Sequence, residues 1–181
     1  MDQVLTAELS VKNYIEEYRD VPYFIELCKQ CGNYGNSWLC PPFQFDAEAR
    51  LTQWENALIV LCRFDLPAGE HRTEHAMSLL REKRAELEKR LLELENQIGG
   101  LCFGFSGECL CCKKCARISG RECLHPEKAR PAIEAYGFNV AKTVKNLFGI
   151  EIEWAKNGIL PHTLSIVGAL FHNRKQGEIM F

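Results

Sequence analysis

The sequence predicts an α+β (or α/β) domain built on a central mixed sheet, with a βαβ unit, one long amphipathic helix and two cysteine-rich loops at about 28–42 and 107–126. Three observations lead there. Residues 57–66 (ALIVLCRFDL) are an aliphatic, β-branched run of strand length. Residues 70–98 repeat Met77, Leu80, Leu87, Leu91, Leu94 and Ile98 at helical spacing, opposite a densely charged face. Residues 101–105 (LCFGF) are a second short apolar strand. Strand, helix and strand in succession read as a parallel, right-handed unit.

The remaining elements follow in order. Residues 1–20 carry a weak pattern, a short strand or helix leading into Pro22. Residues 22–30 suit a helical turn, since proline is tolerated at a helix start. The glycines, asparagines and Pro41–Pro42 of residues 31–45 mark an ordered loop. Asp46 has the chemistry of an N-cap for a short helix reaching about Asn56. Gly99–Gly100 ends the long helix. Residues 126–136 are expected to be helical in spite of Pro131, and residues 139–148 form a further helix stopped by Gly149. Residues 151–154 and 163–171 read as strands around Asn157–Gly158, with Pro161 in the connection. With no internal repeat or low-complexity tract, residues 1–181 are expected to form a single domain.

A chain of 181 residues buries about 70% of its unfolded surface, so it needs no metal or disulfide merely to fold. A net charge of −2 without a basic block argues against nucleic-acid binding. The acidic N-terminus lacks a continuous apolar core and so does not read as a signal peptide. The longest apolar run, residues 57–62, falls far short of the ~20 residues that span a membrane. A cytoplasmic protein is therefore expected. In a reducing compartment, ten cysteines clustered at two-residue spacing point to metal ligands or redox groups ahead of structural disulfides.

The second cysteine group is C-x2-C-x2-C-x7-C, formed by Cys109, Cys112, Cys115 and Cys123. Two intervening residues let the chain curl so that successive thiolates converge on one centre. Three close ligands and one distant ligand suit the corners of a 4Fe-4S cubane, and bacterial ferredoxins use a related run. Zinc competes, because four thiolates also close a tetrahedral zinc site, although zinc ribbons usually join two separated C-x2-C pairs. Lys113, Lys114, Arg117, Arg121, Lys128 and Arg130 surround the group. Their charge either favours thiolate and offsets a cluster's negative charge, or simply solvates the loop. His125 stands before Pro126, where capping or supporting a ligand through a hydrogen bond is expected ahead of ligating or tuning the metal directly.

The first group is C-x2-C-x8-C-P-P, formed by Cys28, Cys31 and Cys40. Glycines and asparagines between the second and third cysteines allow backbone N–H groups to approach sulfur. Tyr34 and Trp38 either shield the site or merely pack. Only three thiols are local. The fourth ligand is Cys62, Cys102 or Cys111 brought in by the fold, or the position is open and able to act on a bound molecule. Cys62 and Cys102 sit in apolar strands, where cysteine usually behaves as a small hydrophobe. Cys111 reads as a spare thiol facing away from the metal.

The pairing of CKQCGNYGNSWLCPP with CLCCKKCARISGRECLHPEKARPAIEAYGFNV resembles a prokaryotic family of predicted metal-binding proteins, domain of unknown function 2284. The resemblance runs from about Cys28 to the final strand. It implies metal binding through Cys28, Cys31, Cys40, Cys109, Cys112, Cys115 and Cys123, most naturally as iron–sulfur clusters, in bacteria or archaea that are often anaerobes. Cys111 is an addition to that pattern. No reaction comes with the family.

Three functions stay open. Two iron–sulfur clusters would suit electron transfer or a redox-accessory role, with a redox protein as partner. A three-cysteine cluster with an open iron would suit an enzyme with a small-molecule substrate. However, no Ser/His/Asp set, phosphate-binding glycine loop or paired carboxylates accompany it, and the spacing is not the C-x3-C-x2-C of radical S-adenosylmethionine enzymes. Structural zinc in both loops would make a binding module.

Overall fold

The computed structural model describes residues 3–67, 73–156 and 159–181. The expected helix start at Glu70 and the Asn157–Gly158 turn lie outside them. The elements are β1 (Gln3–Ser10), α1 (Val11–Tyr18), α2 (Val21–Lys29), α3 (Ala47–Leu51), β2 (Asn56–Asp65), α4 (Thr73–Ile98), β3 (Leu101–Phe103), α5 (Val140–Phe148) and β4 (Thr163–His172), with short 3-10 helices at Ala116–Ser119 and Ile133–Tyr136. The fold is α+β.

The sheet runs β1-β2-β4-β3 and every neighbouring pair is antiparallel, so it is not the mixed sheet expected. β2 and β3 do run in the same direction, because each is antiparallel to β4. The helix α4 therefore joins two parallel-running strands, but β4 inserts between them: a split β-α-β unit. Ile59 faces Ala7 on one side and Ala169 on the other, which fixes the register.

Both sheet faces are covered, and this is why β2 reads as a continuous apolar run rather than an alternating one. Ala57, Ile59 and Leu61 pack with Tyr14, Tyr18, Phe138, Val144 and Phe171 on the side of α1 and α5. Leu58, Val60, Cys62 and Phe64 pack with Leu87 and Leu91 of α4. Leu80, Leu94 and Ile98 flank that second core, whereas Met77 at the far end of the expected stripe is exposed. At Gly168 an added Cβ would lie 2.9 Å from both Leu91 and Phe105, so glycine is what lets α4 approach β4 closely.

Local signals explain most helix boundaries. Ser10, Asp20, Asp46 and Asn139 each accept a hydrogen bond from a backbone N–H in the first turn that follows. Gly99 and Gly149, both with positive φ, end α4 and α5. Three expectations fail. The helix capped by Asp46 ends at Leu51 rather than near Asn56, where β2 already begins. Residues 126–136 are not one helix: Pro131 supplies no N–H, its carbonyl accepts from Gly104 at 3.0 Å, and only Ile133–Tyr136 turns, as a 3-10 helix. Residues 151–154 form no strand, since no neighbour pairs with them; Ile150 and Ile152 rest on the core while Trp154 is exposed. Among the described residues, no helix is long and apolar enough to cross a membrane.

Candidate metal centre

The first cysteine group grows out of α2. Asp20 caps this helix through the Tyr23 N–H (3.1 Å), and Cys28 lies in its last turn. Cys31 N–H donates to the Cys28 carbonyl, continuing the curl, and Cys40 N–H donates to Ser37 O at 3.1 Å. Gly35, at φ 70°, donates its N–H to the Pro41 carbonyl and folds the loop back on itself. Pro41–Pro42 is a cis bond. The result is a cavity of about 170 Å³ whose walls include Cys28, Cys31, Cys40, Phe105, Glu134 and Ala135. Burial raises the Cys28 thiol, and its neighbour Cys31 adds to the effect. Burial also raises Cys40; a Ser37 hydrogen bond and the Arg117 charge oppose this, while Cys31 and Cys28 reinforce it. The three sulfurs feel one another.

The second group follows β3. Cys115 is the N-cap residue of the Ala116–Ser119 turn, which Gly120 closes at φ 66° before the chain returns to Cys123. Cys109, Cys112, Cys115 and Cys123 line one cavity of about 230 Å³, roofed by Trp38. Burial raises Cys112, with Cys109, Cys123 and Cys115 adding to it. Cys111 does not face away as expected. It lines this same cavity, and burial beside Cys109 pushes its thiol up to about 12. It also borders an outer groove containing His125. His125 opens a turn rather than capping a helix: its carbonyl accepts from Lys128 and Ala129, and its imidazole faces Glu127 at 3.7 Å.

The two cavities are neighbours, sharing walls at Asn33 and Leu39, and two side chains lock them together. The Arg117 guanidinium donates to the carbonyls of Ser37 (2.8 Å), Cys40 (2.7 Å) and Pro42 (2.6 Å). It also stacks 5.0 Å from the Trp38 ring, whose Nε1–H donates to Arg121 O at 2.9 Å. Arg117 is thus a brace, not a loose surface cation. Arg130 is likewise fixed, paired with Glu95 of α4. Burial would raise Glu95, but hydrogen bonds from Arg130 and Cys102 N–H outweigh it and hold the carboxyl below its ordinary range. Lys113, Lys114, Arg121 and Lys128 remain exposed.

All ten cysteines lie among the described residues, and none forms a disulfide. Cys62 and Cys102, only 2% and 1% exposed, belong to the core on the α4 side and line neither cysteine cavity. Two residues escaped the sequence reading. Arg84, on the charged helix, is buried and donates to the carbonyls of Phe105 and Glu108 at 3.1 Å. Glu134 faces the first cavity; burial raises it to about 7, against a Ser106 hydrogen bond and the Arg84 charge. No spacing signal marks either one, though a carboxylate amid the apolar AIEAYG is a hint.

The donor chemistry fits a thiophilic centre: soft sulfur ligands gathered in two pockets, braced by cations that offset thiolate charge. Among the described residues, no three His, Cys, Asp or Glu side chains are drawn tightly enough to hold a single metal ion. The family model described as Predicted metal-binding protein (DUF2284) matches residues 15–171, a span that contains every cysteine. No curated protein and no solved structure matches the chain. With most of its length and both cysteine groups inside that match, the chain belongs to this family of predicted metal-binding proteins.

Proposed function

We propose that the protein binds two iron–sulfur clusters, of 4Fe-4S type, and serves in electron transfer or as a redox accessory. The supporting observation is that seven cysteines, separated by up to 95 positions (28 to 123), gather into two adjoining thiol-lined cavities. Cys28, Cys31 and Cys40 would hold one cluster and Cys109, Cys112, Cys115 and Cys123 the other. Zinc–thiolate bonds are about 2.3 Å, so four thiolates around one zinc ion close on a point. Here the thiols border open pockets, which favours a cluster over a single ion.

When bound, such clusters take up and release single electrons. The chain's own residues would hold the thiolates in two sets, give the first pocket an apolar wall at Phe105, and offset negative charge with Arg117. The adjoining pockets suit electron passage from one to the other. Lys113 and Lys114 at the edge of the second pocket would steer an acidic redox protein toward it. Protein prepared without air tests this directly. Iron and acid-labile sulfide in equal amounts, with a signal in electron paramagnetic resonance on reduction, are expected. Colourless protein holding stoichiometric zinc would refute it and leave the binding-module reading.

A further inference from the structure

We infer that Glu134 is the fourth, non-thiolate ligand of the Cys28/Cys31/Cys40 site, making one iron of that cluster oxygen-ligated and exchangeable. This rests on the cluster reading above and goes beyond it by completing the first site.

Elimination narrows the field first. Cys62 and Cys102 belong to the core on the α4 side of the sheet, and Cys111 lines the other cysteine cavity. No thiol remains for the first one. Glu134, by contrast, lines that cavity together with all three cysteines. Its Oε2 is shut off from solvent and has no hydrogen-bond partner. A buried carboxylate oxygen without a partner is costly, and a metal ligand is one of the few roles that repays it.

The backbone holds this arrangement firmly. Gly137 closes the Ile133–Tyr136 turn at φ 91°, and its carbonyl accepts the N–H of Asp20, the cap of α2. An added Cβ at Gly137 would come within 3.0 Å of the Val21 Cα, so the turn bearing Glu134 is pressed against the helix bearing Cys28. Arg84 lines the same cavity and supplies a fixed positive charge for a carboxylate among thiolates. Iron accepts both donors, but carboxylate is the harder ligand and suits a thiophilic cluster less well than thiolate. The oxygen-ligated corner is therefore where a small molecule would displace a protein ligand.

Mössbauer spectra of the anaerobic full-length protein, loaded with isotopically enriched iron, test the assignment against E134C and E134Q. The wild type should show a minority iron component with oxygen-type parameters. E134C should lose that component while iron and sulfide content stay unchanged, and E134Q should lose iron from the first site alone. Clusters present with identical spectra in all three proteins would overturn the Glu134 assignment and leave the cluster reading intact. A wild type without clusters would overturn both. Should a variant fail to fold, the wild-type spectrum decides by itself: iron ligated by thiolate throughout removes Glu134 from the site.

Discussion

The two cysteine cavities are made of different materials. The first hangs on regular structure: the last turn of α2, a folded-back loop, and a 3-10 turn docked on the same helix. It offers three thiols and one carboxylate, with apolar walls at Phe105 and Ala135. The second takes its five thiols from one stretch, residues 107–126, whose only regular piece among the described residues is the four-residue turn Ala116–Ser119, and residues of the first loop, Trp38 and Leu39 among them, complete its wall. The first pocket therefore rests on helix and turn hydrogen bonds, whereas the second rests mostly on irregular chain, the kind of segment whose order metal binding commonly completes.

That contrast is sharpest in the effect of losing metal. Chelation under reducing conditions should abolish hydrogen-exchange protection across residues 107–126, while α2 and the sheet keep theirs; equal loss in both regions would erase the distinction. Cys115→Ser should remove the second centre and about half of the bound iron, leaving the first centre's spectrum in place.

Loading should also respond to pH. Cys28, Cys40 and Cys112 are all raised above the ordinary thiol value of 9.0, so the empty protein carries them protonated at neutral pH. Binding must expel those protons, and affinity therefore rises as pH climbs from about 7 toward 9, by up to tenfold per unit for each proton released. Cluster assembly from iron and sulfide without air, followed at several pH values, measures the slope, and a flat profile would show that the thiols are already ionised.

Arg117→Ala removes three hydrogen bonds from a charged donor and separates the two loops. Charge-assisted bonds contribute about 1.5–3 kcal/mol each when fully buried; this partly exposed site should lose about 2–4 kcal/mol in all, read from urea unfolding. A loss confined to the second loop would mean that the brace does not couple the pockets. The smallest effect belongs to the paired change Lys113→Glu and Lys114→Glu. Stability should move by no more than about 0.5 kcal/mol, while reduction by an acidic protein partner slows and loses its salt dependence.

Much of this was legible in the sequence. The thiol sets were visible because metal-ligand spacing is local: C-x2-C leaves its mark within a single turn. β2 and β4 showed themselves through burial on both faces, and α5 through its Asn139 cap and Gly149 stop. Most of what failed depended on distant partners. β1 does alternate, with Leu5, Ala7 and Leu9 against Thr6, Glu8 and Ser10, but it runs straight into α1 at Val11, so the period-2 pattern is short and merges with a helical one. The split of the β-α-β unit is decided by β4, which begins sixty positions after the end of β3 and enters between β2 and β3. Pro131 looked tolerable inside a helix until its carbonyl was seen to be committed to Gly104. Glu134 and Arg84 carry no periodic signature, because their roles arise only where the Ile133–Tyr136 turn and α4 close over the first pocket.

The central claim, two clusters in two adjoining pockets, is most directly tested by anomalous diffraction at the iron edge from crystals grown without air. Two compact iron peaks are expected, one enclosed by Cys28, Cys31 and Cys40 and the other by Cys109, Cys112, Cys115 and Cys123. A map with no iron there, or with a lone zinc ion bridging the two cysteine groups, would contradict it.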